Sequence, residues 1–237
     1  MCGVTILKRI YLICLALAIL AAACSWSKHE PEKTADELAA EGQAAFDKEH
    51  YEAAIKAYEK LGDWYPFSTH AKMASLQVAE AHYLSEEYEE AIIAYTEYER
   101  MHPNDEKAPY VIYQIGRCHF DRIETIDRDA TAAQNALSTF RRLVDQFPDS
   151  EYAEKARLHI AKCISNLAAK EMYVGRFYFK SKKYKAALQR FEGVTANYPD
   201  SEFSAEASDY MAQCRTLIAA EEAALPEKSP ETGEESK

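Results

Sequence analysis

The sequence predicts an all-α fold, a superhelical array of about five antiparallel helix pairs. Three observations carry that prediction. Four positions recur together in four places along the 237 residues, and two more in three of them. Each recurrence ends in a proline followed by a helix-capping residue type, as a chain of short helices requires. Finally, the chain holds only 7 Gly and 8 Pro, about half the usual share, which argues against a strand-and-turn sandwich. The same counts limit function. The closest glycines, Gly175 and Gly193, are 18 positions apart, so no glycine-rich phosphate loop is present. A net charge of −11, from 28 basic and 39 acidic residues, lacks the basic footprint of a nucleic-acid binder.

The first segment, residues 1–23, reads as a signal peptide. It has no acidic residue, carries Lys8 and Arg9, then an apolar run from Ile10 to Leu20, then Ala21-Ala22-Ala23 before Cys24. The run is too short for the roughly 20 residues that span a bilayer. Small residues ending at a cysteine resemble the lipobox of bacterial lipoproteins, although Ala21 stands where Leu is usual. That resemblance implies cleavage before Cys24 and acylation of its thiol and new N-terminus. Ser25 after it resembles the outer-membrane-directed members, since retention in the inner membrane typically uses Asp. Residues 24–33 would then be a lipidated tether, polar and carrying Pro31, and the mature chain would hold 26 basic and 39 acidic residues. On that reading the membrane is expected to be touched through acyl chains only, each buried methylene contributing about 0.8 kcal/mol.

The array is expected over residues 34–222. Ala54, Ala91, Ala136 and Ala187 are each followed four residues later by an aromatic (Tyr58, Tyr95, Phe140, Phe191) and twelve later by proline (Pro66, Pro103, Pro148, Pro199). Two residues beyond each proline stand Ser68, Asp105, Ser150 and Ser201 as candidate caps. Tyr51, Tyr88 and Tyr184 precede the alanine by three in three copies, and Gly42, Ala79 and Gly175 precede it by twelve. In the third copy Gly116 lies twenty before, which implies eight inserted residues. Small residues on both helices let them approach closely, while the aromatic one turn on fills the gap to the next pair. Thr34-x-x-Glu37 and Thr131-x-x-Gln134 read as capping boxes. Glu151–Leu167 reads as a further amphipathic helix, and Phe203 to Ile218 as a terminal capping helix. From 223 to 237 the composition is that of a disordered acidic tail.

This spacing resembles the tetratricopeptide repeat (TPR), most cleanly over Ala168 to Ser201. In such arrays the first helix of each pair lines the concave surface. Counting from the alanines places Gln43, Phe46, Leu76, Glu80, Tyr83, Tyr113, Arg117, Phe120, Met172, Arg176 and Phe179 there. Rings supply contact area and an arginine fixes a carboxylate, which suits a peptide ligand. Other constellations are poorer. Asp127-x-Asp129-x-Thr131 starts like a calcium loop but has Ala132 in place of glycine and Ser138 in place of the closing glutamate, so it reads as a loop feeding the next helix. His159 and Cys163 share a helix face and read as packing residues. Cys118, Cys163 and Cys214 read as buried free thiols. No nucleophile with its base is present, so neither an enzyme nor a metal or cofactor site is expected.

A lipidated TPR array with Asp127-Arg128-Asp129, Ala136, Phe140, Leu143-Val144 and Phe147-Pro148-Asp149-Ser150-Glu151-Tyr152, and with extra residues in the third repeat, is similar to the BamD family of the outer-membrane β-barrel assembly machinery. The resemblance implies a non-catalytic periplasmic scaffold on the outer membrane. Its groove, at Phe46, Leu76, Glu80, Tyr83, Tyr113, Arg117 and Phe120, would receive the C-terminal signals of unfolded outer-membrane proteins. A surface near Arg176, Lys180 and Arg190 would dock the periplasmic domains of the barrel-forming subunit. A TPR pilotin for a type IV pilus or secretion secretin shares anchor and repeats, and is the alternative.

Overall fold

The structure is a computed structural model that describes residues 32–125 and 129–224. The expected signal peptide, Cys24, Asp127 and the tail from residue 225 lie outside the described residues. Among these, nine α-helices and no strand are found. Helices α1 (Ala35–Phe46) and α2 (Tyr51–Trp64) form the first hairpin, and α3 (Ala71–Leu84) and α4 (Tyr88–Met101) the second. The third joins α5 (Ala108–Asp121) to α6 (Thr131–Gln146), and the fourth joins α7 (Glu151–Lys180) to α8 (Tyr184–Asn197). Helix α9 (Ser204–Ala224) closes the array. Each helix packs on its neighbours in sequence, the nearest-neighbour pattern of a solenoid.

The repeat anchors form the core. Ala54, Ala91, Ala136 and Ala187 are fully buried, as are Tyr58, Tyr95, Phe140 and Phe191. Each buried ring contributes about 1.5–3 kcal/mol. The reason for the small residue twelve or twenty positions earlier is steric. A Cβ added at Gly42, Gly116 or Gly175 would lie 2.6, 2.5 or 2.6 Å from the ring of Tyr58, Phe140 or Phe191. Only in the second hairpin does an alanine, Ala79, occupy this place, and it is fully buried too.

The turns inside three hairpins share one device. Glu49, Glu86 and Lys182 adopt φ of 59°, 61° and 58°, and the following amides of His50, Glu87 and Lys183 bond back to the carbonyls of Ala45, His82 and Tyr178. This is a left-handed helix ending that glycine usually supplies. The third hairpin departs from it, because residues 122–130 separate α5 from α6, at the insertion read from the sequence.

Some helix boundaries differ from expectation. Glu151–Leu167 is not a separate helix; it is the first half of the 30-residue α7. Residues 151–174 contain no Gly or Pro, so nothing stops the helix at Leu167. Its first half places Ala156, Cys163 and Leu167 in the core of the third hairpin. Its second half places Ala168 and Met172 in the core of the fourth. Met172, expected on the concave surface, is therefore core.

The caps divide. Thr34 and Glu37 form the full capping box. Ser150 caps α7 by accepting from Tyr152 N at 3.1 Å, and Asp105 accepts from Lys107 N at 2.8 Å. Ser68 and Ser201 act only through their carbonyls, which accept from Ala71 and Ser204, while their hydroxyls are buried without a partner. Thr131 is no cap either. The α6 boundary falls at Ala130 with no side-chain cap, and Asp129 instead accepts from Thr131 N at 3.2 Å.

Candidate functional site

Gln43, Glu80, Arg117 and Arg176 each follow the small residue of their repeat. With a residue turning about 100° on a helix, the small residue meets its own hairpin partner while the next one faces away. Glu80 on α3 and Arg117 on α5 thereby reach the same face, and the residues one turn either side join them.

At one end of this face, Phe46, Leu76, Glu80, Lys107, Tyr110 and Tyr152 line a cleft of about 620 Å³. The Tyr110 hydroxyl donates to Glu80, and Gln114 Nε2 donates to the hydroxyls of Tyr110 at 3.2 Å and Tyr95 at 3.4 Å. Burial raises the Glu80 carboxyl above its ordinary pKa, against the hydrogen bonds from Tyr110 and Tyr95. Leu76 is itself nearly buried and offers only an edge.

One turn further, Arg117 and Tyr83 form a second cluster. Arg117 Nη2 donates to the Tyr83 hydroxyl at 2.6 Å and to Asp121 Oδ2 at 3.0 Å. The Tyr83 hydroxyl donates to the same Asp121 oxygen at 2.7 Å, and the guanidinium carbon stands 5.7 Å from the Tyr83 ring centroid. Arg117 Nε is buried with no hydrogen-bond partner. The guanidinium is held by Asp121 and Tyr83, with Tyr113 a further partner, and its side chain remains 31% exposed, so a ligand carboxylate can share it.

Helix α7 forms the far wall. The His159 ring stacks on Phe140 with centroids 5.0 Å apart and meets Phe120 edge-on at 4.6 Å. Its Nε2 is 3.1 Å from the Tyr113 hydroxyl. Burial, then the charges of Arg117 and Lys162, lower its pKa, so the ring is neutral at pH 7. The Tyr152 ring touches both Tyr110, at 5.3 Å, and Tyr113, at 5.6 Å, and so joins the cleft to the arginine cluster.

Of the seven groove residues expected from sequence, five come together in two adjoining parts, while Tyr113 and Phe120 pack into and against the core of the third hairpin behind them. Phe46, Leu76 and Glu80 stand at the cleft, Tyr83 and Arg117 in the cluster, and Tyr113 and Phe120 against His159. Sequence reasoning missed Tyr110, Asp121, Tyr152 and the second role of His159. Tyr110 was within reach, because it extends the 113–117–120 stripe of α5 back by one turn.

The three residues expected at a docking surface are not gathered in the same way. Arg176 makes a two-pronged pair with Glu206 of α9, its Nη2 lying 2.6 Å from each carboxylate oxygen. Arg190 reaches Glu171 at 3.2 Å. Lys180 is exposed at the end of α7. The thiols of Cys118 and Cys163 are buried and pushed up to about 12 by that burial, which leaves them unreactive. Among the described residues no cluster of His, Cys, Asp and Glu suits a metal ion, and no helix is long and apolar enough to cross a membrane.

A family profile described as "YfiO: Outer membrane lipoprotein" matches residues 31–229. The chain belongs to this family. Among curated relatives, a Caulobacter vibrioides protein named "Outer membrane protein assembly factor BamD" is 27% identical over 196 residues, covering 81% of this chain and 64% of its own length. A protein of the same name from Neisseria meningitidis serogroup A is 30% identical over 181 residues, covering 72% of this chain and 68% of its own length. A third, from Haemophilus influenzae, is 26% identical over 203 residues, covering 81% and 78%. The YfiO match contains the whole of α1–α9 and therefore both parts of the groove.

Proposed function

We propose that this chain is a non-catalytic scaffold of outer-membrane protein assembly, held at the periplasmic face of the outer membrane by acyl chains on Cys24. Its concave groove receives the C-terminal segment of unfolded β-barrel proteins, and its C-terminal hairpins dock the periplasmic domains of the barrel-forming subunit. The observation that carries the receiving role is the partly exposed guanidinium of Arg117 beside a cleft walled by Tyr110 and Tyr152. A barrel strand that ends in an aromatic residue and a free carboxylate matches both: the ring fills the cleft and the carboxylate meets the guanidinium. The relatives named as assembly factors support the cellular setting.

The binding test uses a ten-residue peptide ending in Tyr-x-Phe with either a free or an amidated C-terminus. The free acid should bind the chain at least tenfold more tightly in fluorescence anisotropy; equal affinities would refute carboxylate recognition. In cells, depletion should lower folded outer-membrane barrels. Intact barrels with lost secretin multimers would assign the chain to the pilotin role instead.

A further inference from the structure

The first three inter-repeat turns lie side by side on one edge of the array, while the fourth stands part-way along α7, where Ser165 donates to Glu202 at 3.0 Å, and the repeat lets all four be compared position by position. The residue after the proline is Phe67 in the first turn but Asn104, Asp149 and Asp200 in the others. The residue two before the proline is Trp64, then Met101, Gln146 and Asn197. Phe67 is 100% exposed, Met101 58% and Trp64 46%. The edge is therefore apolar at its first two turns and polar at the third, and the fourth turn is polar too, although the backbone role of each turn is the same. Packing does not account for Phe67, because its ring touches solvent all round.

The chain itself points to what meets this edge. The Tyr65 hydroxyl donates to the Lys33 carbonyl at 2.9 Å, and His70 Nε2 lies 2.8 Å from Asp36. These contacts bring the start of α1 to the first turn, two residues from Phe67. Only nine steps of chain separate Lys33 from Cys24, a reach of roughly 30 Å at full extension. The apolar end of the edge is the end next to the tether. Trp64 also carries Lys60 Nζ 4.3 Å above its ring, a cation beside an aromatic as lipid headgroup regions favour. Glu59 and Asp63 on the same helix limit the attraction to anionic lipid, so the contact is by aromatic and thioether side chains at the headgroup level.

We propose that the turn edge bearing Trp64, Phe67 and Met101 rests on the phospholipid surface to which the chain is tethered. This rests on the reading that Cys24 is acylated, and the test separates the two. The sequence has two tryptophans, Trp26 and Trp64, so each can be made the only reporter. The full acylated chain is placed in phosphatidylethanolamine and phosphatidylglycerol vesicles with brominated or plain acyl chains. In Trp26→Phe, bromination should quench Trp64 emission at least twofold, and adding Phe67→Asp should remove at least half of that quenching. Phe67 is fully exposed, so this change leaves the fold intact, which an unchanged melting curve checks. Unquenched Trp64 overturns the proposal. If Trp26 is still quenched in Trp64→Phe, the anchor survives; if both are silent, the anchor falls as well. A dimer in detergent that Phe67→Asp dissolves would give the edge to a second copy and would also overturn the lipid contact.

Discussion

Arg117 and Arg176 occupy the same position of the repeat, one residue after a glycine that a buried ring requires, yet they differ in what they have left to offer. Arg176 is closed by Glu206, which meets its guanidinium with both oxygens. Glu206 belongs to α9, the closing helix, which lies where the next repeat of a longer array would stand. The corresponding helix in front of Arg117 is α7, which brings the His159 ring rather than a carboxylate. The neighbours of Arg117 are a phenol and a carboxylate bonded to each other as well as to it, and one of its donors is unmet. A solenoid position thus becomes structural where the next helix supplies a carboxylate and stays available where it does not.

Several measurements sharpen that contrast or break it. The largest effect should be one the two sites share: Gly116→Ala and Gly175→Ala each drive a Cβ into a buried ring. Both should destabilise by about 1–3 kcal/mol in thermal unfolding, and a large difference between them would show the two repeats are not equivalent at the backbone. The arginines themselves should then part company. Arg117→Ala should weaken binding of the free-acid barrel peptide about tenfold or more, roughly 1.4 kcal/mol, in the anisotropy assay. Arg176→Ala should leave that affinity unchanged and lower stability by no more than about 1 kcal/mol, since its pair is more than a third exposed on both sides.

A smaller effect concerns Glu80, the acidic occupant of the same repeat position. Burial raises its folded pKa from the ordinary 4.5, so as pH rises the unfolded chain ionises first and the fold loses stability above about pH 4.5. Glu80→Gln should remove that loss, gaining on wild type in urea unfolding as pH rises above about 4.5. His159 acts oppositely: its lowered pKa means stability is lost as pH falls through the ordinary 6.5. The smallest effect is a control outside both sites. A Cβ at Gly62 would meet nothing within 4 Å, so Gly62→Ala should stabilise by about 0.5–1 kcal/mol in the same unfolding assay.

The fold was legible because its determinants are local and repeated. Ala54 and Tyr58, or Ala187 and Phe191, announce a helix contact by spacing alone, and the same spacing appears four times. The site was legible only where it followed that register. Tyr83, Arg117 and Phe120 could be placed by counting, but Tyr152 and His159 could not. They reach the groove because α7 crosses over α5, a tertiary fact with no mark in the repeat. His159 was read as a packing residue, and it does pack on Phe140; that its Nε2 meets Tyr113 depends on the same crossing. The caps failed for a related reason. Ser68 and Ser201 stand where Ser150 does, but their turns place the carbonyl rather than the hydroxyl against the next helix.

The continuity of α7 has a mechanical corollary. At about 1.5 Å per residue, its 30 residues make a shaft about 45 Å long that carries Tyr152 and His159 near one end and Arg176 near the other. Removing one residue between them would rotate one end against the other by about 100°, and either the Tyr113 partnership or the Glu206 clasp would have to be given up. The spacing from 159 to 176 is thus under a phase constraint that no loop-joined pair of repeats would feel. Length changes in this protein should be tolerated in the connection at 122–130 and rejected along the shaft.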